Sequence, residues 1–148
     1  AVEAAADGRV HVLGFESDRD AYARLLASAD VYVSAMPYET FGIAVVEAQA
    51  SGLPVVGVAS GAMPDRVPEG LGRLGPVGDV EAMAANVEAV IAGDRVAMGR
   101  RARAHVEARF SWDATFGQLL DLYAQTGRPL RPSPSGRPRR PAIGRTSA

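Results

Sequence analysis

The sequence predicts an α/β protein, part of a doubly wound, Rossmann-like layer in which parallel strands alternate with helices. Three observations carry that expectation. Leu53 to Ala59 is a continuous apolar run, the pattern of a strand covered on both faces of a parallel sheet. It follows directly on an apolar helical segment, Phe41 to Ser51, which Gly52 and Pro54 terminate. Strand-like and helix-like segments alternate from Arg9 to this point.

In order along the chain, Arg9 to Phe15 is a β-branched run ended by a polar turn and reads as a strand. Asp18 or Ser17 caps a helix in which Tyr22, Leu25, Leu26 and Ala29 share one face. Val31 to Ser34 is a second strand, and Ala35 to Thr40 a loop containing Pro37. After Ala59 a Gly/Pro-rich segment, Ser60 to Gly78, shows little periodicity apart from a short strand near Gly72 to Leu74. Asp79 caps a helix carrying Met83, Val87, Val90 and Ile91, and Asp94 caps another carrying Val96, Arg103, Val106 and Phe110. A last helix starts at Ser111, with Asp113 complementing its dipole and a packing stripe of Trp112, Phe116, Leu119, Leu120 and Tyr123.

From Gly127 onward prolines and arginines replace apolar residues, so 127–148 is expected to be a disordered tail and 1–126 the folded domain. The chain opens in Ala/Glu-rich helical sequence without a Gly-rich strand-to-helix turn, and only three or four strands are legible. A complete doubly wound domain has about six. The expectation is a domain truncated at its N-terminus.

Composition narrows the chemistry. A chain of 148 residues with 47% hydrophobic content forms one ordinary domain that buries roughly 70% of its unfolded surface. There is no cysteine, which excludes disulfides, thiolate metal sites and cysteine nucleophiles and fits a reducing compartment. All sixteen basic residues are arginine, which excludes Schiff-base lysines and phosphate-clamping lysines. Six of them follow Gly127, so ten face seventeen acids in the body, and specific nucleic-acid binding by the fold is not expected. No apolar run approaches the roughly 20 residues that span a bilayer, and no signal peptide is legible, so the expected location is cytoplasmic.

The chemistry centres on Glu39 and Glu47, eight positions apart around a helix start marked by Gly42. Thr40-Phe41-Gly42-Ile43 occupies the place where ligands of open α/β sheets bind, with backbone N–H groups and the positive helix end ready for a phosphate and Gly42 letting it come close. Carboxylates accept paired hydrogen bonds from vicinal sugar or ribose hydroxyls. An ionised Glu47 on an otherwise apolar helix is costly without a partner, and that partner is either a ligand or an arginine. A retaining glycoside hydrolase needs its carboxyls about 5 Å apart. Helical rise from Phe41 to Glu47 is roughly 9 Å, which suits two ends of one elongated ligand, although side-chain directions leave both readings open.

These residues carry a resemblance. The strand and turn at Val12-Leu13-Gly14-Phe15, the run Ala29 to Ser34, the E-x7-E element from Glu39 to Glu47, Ser51 to Val56, Gly78-Asp79 and the closing Phe110-Ser111-Trp112 together resemble the C-terminal half of retaining GT-B glycosyltransferases of family 4. The match covers roughly Arg9 to Tyr123. It implies that Glu39, as the catalytic-site carboxylate, holds the donor hexose together with the backbone of Thr40, Phe41, Gly42 and Ile43, which meets the phosphates. It places the ribose on Glu47 and the nucleobase near Gly14 and Phe15. It further implies transfer of mannose or glucose from a nucleotide-diphosphate sugar to a lipid or glycan acceptor, with retention, without metal or other cofactor. The acceptor site lies in an upstream N-terminal GT-B domain, in peripheral contact with the inner face of the membrane.

The chain departs from the family pattern at Gln49, where methionine is usual, and at Ser60 to Asp65, which replace a Gly-Gly turn followed by an acid. The family's Arg/Lys pair that neutralises the diphosphate, and its catalytic histidine, fall upstream, so the chain by itself is expected to be inactive. Arg66 is a replacement cation or a solvated loop residue, the second being the simpler reading; His11, His105 and Arg100 to Arg103 read as structural or solvated. Two other functions stay open: a non-catalytic nucleotide-sugar-binding or interaction module, and a GT-B nucleotide-sugar epimerase, whose extra acid/base residues are not identifiable.

Overall fold

In the computed structural model, residues 9–127 are described. The elements are α1 (Arg19–Ala27), β1 (Tyr32–Ser34), α2 (Ile43–Ala50), β2 (Val55–Val58), α3 (Met63–Arg66), β3 (Gly72–Gly75), α4 (Val80–Ala92), α5 (Arg95–Phe110) and α6 (Trp112–Gln125). Two compact units are distinguished, the first ending at Thr115 and the second beginning at Phe116.

The first unit is built on a parallel sheet in the order β1-β2-β3, with Tyr32 opposite Val55 and Val55 opposite Gly72. The fold class is therefore as expected. All four residues of the central strand β2 are buried, which is why its sequence is apolar without alternation. Val45 of α2, Val55 of β2, Met63 of α3 and Val67 form the core, with Tyr32 and Leu74 packed against them. Gly57 and Gly72 are glycines for close packing: a Cβ on Gly57 would run into Met63, and one on Gly72 into the Val55 carbonyl.

The caps follow the sequence. Asp18 accepts from the N–H groups of Asp20 and Ala21, Asp79 from Ala82, Asp94 from Ala97, and the Ser111 hydroxyl from Ala114. Helix α3 was not legible, because a four-residue helix with Pro64 in its first turn leaves no periodicity to detect.

Three expectations are corrected. Arg9 to Phe15 is irregular rather than a strand, and Phe15 is 96% exposed. A strand persists only where a neighbour takes its N–H and C=O groups, and among the described residues this segment pairs with none of the three strands of the sheet. On α5 the buried face is Gly99, Ala102 and Val106; of the expected stripe, Val106 is buried and Phe110 half-buried, while Val96 and Arg103 are exposed. The reason is steric: Gly99 lies against the Gly52 carbonyl, a separation only small residues allow. Finally, no residue of α6 is buried, so its apolar stripe does not achieve the expected packing. Residues 1–8 and the Arg/Pro tail from Arg128 lie outside the described residues.

Gly99→Ala tests this contact. Helix propensity favours alanine by about 1 kcal/mol, whereas forcing a methyl into a filled contact costs about 1–3 kcal/mol. Gly99→Ala is expected to lower the urea midpoint. Gly117→Ala in α6, where a Cβ meets nothing within 4 Å, is expected to leave it level or raise it. Equal behaviour of the two variants would contradict the close approach.

Candidate functional site

Parallel pairing of β1 and β2 makes their C-terminal ends release two loops side by side, 35–42 and 59–62. These loops are stitched together. The Ser60 hydroxyl donates to the Pro37 carbonyl at 2.8 Å, the Ala62 N–H to the Glu39 carbonyl at 2.8 Å, and Arg66 Nε to the Phe41 carbonyl at 2.6 Å. Alternate carbonyls of the first loop thus find donors on the second loop and on α3, which follows it. A Cβ on Gly61 would strike the Glu39 carbonyl, and Gly61 has φ 57°, so glycine is required there twice over.

The chain then turns sharply into α2. Gly42 is the N-cap, at φ 83° and ψ 44°, a left-handed conformation that ends the loop and delays the helix to Ile43. A Cβ at Gly42 would meet only ordinary contacts at 3.4 Å and beyond, so its glycine is demanded by φ rather than by the approach of a ligand. The later start also corrects the distance argument, because helical rise from Ile43 to Glu47 is only about 6 Å.

Glu39 does more than its position promised. One carboxylate oxygen, Oε1, accepts from Gly42 N–H at 2.8 Å and from Phe41 N–H at 3.3 Å. The two N–H groups expected to await a phosphate are therefore engaged by Glu39 itself. Gly42 has no side chain to cap the turn that follows, which begins at Ile43. Thr40, Phe41 and Ile43 are exposed.

Glu47 sits one helical turn further on, facing α1. Its side chain is one-third exposed, so it is not the buried lone charge the apolar sequence suggested. Its Oε1 lies 3.5 Å from Arg19 Nη2, on a guanidinium that is 89% exposed. A pair this open is worth about 0–1 kcal/mol. Beside the same carboxylate, burial first, and then the charge of Glu47, hold the Tyr22 hydroxyl above its usual pKa, so it stays protonated and able to donate. Leu13, Gly14, Phe15, Arg19, Tyr22 and Glu47 line a cavity of about 570 Å³, within the roughly 300–1,000 Å³ of small-molecule sites.

The predicted residues thus form two groups. Gly14, Phe15 and Glu47 share the cavity; Glu39, Thr40, Phe41, Gly42 and Ile43 form the turn at the start of α2. Tyr32 lies between them electrostatically. Its pKa is raised by burial first, then by Tyr22, Glu39 and Glu47.

Arg66 is not a solvated loop residue. Its guanidinium stacks 4.4 Å from the Phe41 ring centre and 4.9 Å from that of Phe110, and the two rings meet edge to face at 6.5 Å. Gln49, fully buried, donates Nε2 to the Arg66 carbonyl at 2.7 Å while its Oε1 has no partner among the described residues. Tyr22, Arg19, Arg66 and Gln49 went unassigned as site residues. For Tyr22 a signal existed, since a tyrosine on an apolar helix face needs a partner for its hydroxyl. Among the described residues no group of three His, Cys, Asp or Glu gathers to hold a metal.

Solved structures share this parallel α/β architecture. Sucrose-phosphate synthase from Thermosynechococcus elongatus matches with a TM-score of 0.72 and 31% identity over 85% of this chain and 33% of that one. An Anabaena protein crystallised with UDP matches with a TM-score of 0.73 and 25% identity over 84% of this chain and 34% of that one. Over residues 2–105 the sequence matches the glycosyl transferases group 1 family, and the chain belongs to it. It is 38% identical to D-inositol 3-phosphate glycosyltransferase of Mycolicibacterium gilvum over 72% of this chain and 24% of the relative. It is 34% identical to phosphatidyl-myo-inositol mannosyltransferase of Mycolicibacterium smegmatis over 78% of this chain and 31% of the relative. The chain thus spans about a quarter to a third of these curated relatives.

His105 supplies a pH test of the packing beside Arg66. Burial, then Arg109 and Arg66, lower its pKa below the usual value, and its Nε2 is buried without a partner among the described residues. The unfolded chain therefore binds the proton more readily than the folded one. Stability from this source is complete above the unfolded value of about 6.5 and is lost as pH falls from there through the lower folded value. Urea midpoints taken from about pH 8 to about pH 5 should fall more steeply for the natural chain than for His105→Leu; parallel curves would contradict the assignment.

Proposed function

We propose that this chain is the donor-binding half of a retaining GT-B glycosyltransferase of family 4, which transfers mannose or glucose from a nucleoside-diphosphate sugar to a lipid or glycan acceptor. The observation that carries this reading is the pairing of a cavity ending in Glu47 with a glycine-capped turn ending in Glu39, one short helical segment apart. In this reading the ribose diol binds Glu47, held ready by Tyr22, and displaces the weak Arg19 contact. The base lies against Gly14 and Phe15. The diphosphate runs over the uncapped first turn of α2 at Ile43, where backbone N–H groups and the helix dipole face its charge.

Glu39 is the residue at the reacting sugar. Its Oε1 is tied to the turn, and no hydrogen bond engages Oε2 among the described residues, which leaves that oxygen to accept from a hexose hydroxyl. Retention follows if the acceptor oxygen attacks on the face the diphosphate leaves, its proton passing to the departing phosphate. That chemistry uses no metal and no cofactor besides the donor. The acceptor site and the cations that neutralise the diphosphate are assigned to an upstream N-terminal domain, in keeping with the small share of its relatives that the chain spans. Among the described residues no helix is long and apolar enough to cross a membrane; the proposed location is cytoplasmic, at the inner membrane face where lipid acceptors lie.

Calorimetric titration of the 148-residue chain with UDP-glucose and GDP-mannose tests the donor assignment. Glu47→Ala is expected to weaken the preferred donor roughly tenfold to a hundredfold, the loss of one or two charge-assisted hydrogen bonds. An unchanged affinity would remove the ribose from Glu47. Binding without turnover is expected of the chain alone; sustained release of radiolabelled hexose would show that the acceptor machinery is already present.

A further inference from the structure

The geometry points to Arg66 as the positioning residue of the Glu39–Gly42 turn, setting the hexose and phosphate end of the site without touching the donor. This rests on the donor reading above and adds to it a residue that reaches the ligand only through the backbone.

Arg66 is fixed at both ends. On its main-chain side, the buried amide of Gln49 holds its carbonyl at 2.7 Å, so the backbone of residue 66 is anchored to the middle of α2. On its side-chain side, the guanidinium lies against Phe41 and Phe110, and Nε donates to the Phe41 carbonyl at 2.6 Å. The path is a closed circuit. It leaves α2 at Gln49, crosses to Arg66, returns through Phe41 and re-enters α2 at Ile43.

Inside that circuit sit the groups the donor needs. Fixing the Phe41 carbonyl fixes the Phe41–Gly42 peptide plane, and with it the Gly42 N–H that makes the shorter of the two bonds to Glu39 Oε1. The Arg66 side chain also packs under Gly42, with Cγ 3.4 Å from where a Cβ would be, and so supports the left-handed residue that aims the first turn. Glycine has the most backbone freedom to lose, so the left-handed conformation of Gly42 depends on its contacts: Glu39 on its N–H, Val46 on its carbonyl and the Arg66 stem beneath it. The other two stitches, from Ser60 and Ala62, hold Pro37 and Glu39 and stop short of Phe41.

A flexible ammonium would not serve. The contact needs a planar cation that stacks on two rings while one N–H points sideways to a carbonyl, a geometry arginine has and lysine lacks. No carboxylate lies within salt-bridge distance of Arg66 among the described residues, so its charge is directed at rings and a carbonyl rather than at an acid. The nucleoside end, by contrast, depends on α1 and Glu47, which Arg66 does not contact.

The separation of the two ends gives the test. Arg66→Met keeps the unbranched stem as far as the position of Nε and sets a thioether against the two rings, but removes the donor, so the turn loses its restraint while most of the packing is kept. In calorimetric titration of the full chain, Arg66→Met is expected to weaken UDP-glucose about tenfold and leave UMP within about twofold. Arg66→Lys should behave like Arg66→Met, and Phe110→Leu, which spares the Nε bond, should lose less. Amide hydrogen exchange at Phe41 and Gly42 should accelerate about tenfold or more in Arg66→Met with β2 unchanged. Equal losses for UDP-glucose and UMP, or no loss, overturn the positioning role while the donor reading stands. A natural chain that binds neither ligand overturns the donor reading, and unchanged exchange at Phe41 and Gly42 overturns the restraint whatever the ligands do.

Discussion

The stitching of two neighbouring loops through alternate carbonyls is the constraint on which the site depends. Parallel pairing of β1 and β2 delivers the loops to the same edge of the sheet, but pairing alone leaves eight residues between Ser34 and Ile43 without regular structure. Carbonyls of Pro37, Glu39 and Phe41 then take donors from Ser60, Ala62 and Arg66. Each such bond nets about 1 kcal/mol. Their larger effect is geometric, because they choose one path for a segment whose own sequence would permit many.

The two glutamates divide the electrostatic work. Glu39 turns one oxygen inward to its own backbone and so builds the turn it belongs to. Glu47 points away, into the cavity, balanced by a tyrosine hydroxyl and a loosely held arginine. One carboxylate is tied into the backbone it follows, the other free to exchange partners at small cost. Tyr32, raised by burial and by both charges, marks how close their fields lie.

In the donor reading proposed above, recognition of a nucleoside is separate from presentation of the transferable group: the first falls to the cavity around α1 and the segment before it, the second to the backbone direction at Gly42.

The chain's apolar patterning determined the parallel sheet, because a strand buried on both faces must be apolar throughout, and Asp18, Asp79, Asp94 and Ser111 determined where helices begin, because a cap acts within three residues. Glu39, Gly42 and Glu47 were also legible, since charge and a left-handed glycine are local signals. The roles of Arg66, Gln49, Tyr22 and Arg19 were settled only by the tertiary structure. Their partners lie 17 to 28 positions away, at Phe41, Arg66 and Glu47, and nothing in the residue itself names a partner at that separation. The same limit explains Arg9 to Phe15: its composition permits a strand, but a strand exists only when another offers its edge, and that is decided by the fold rather than by the segment.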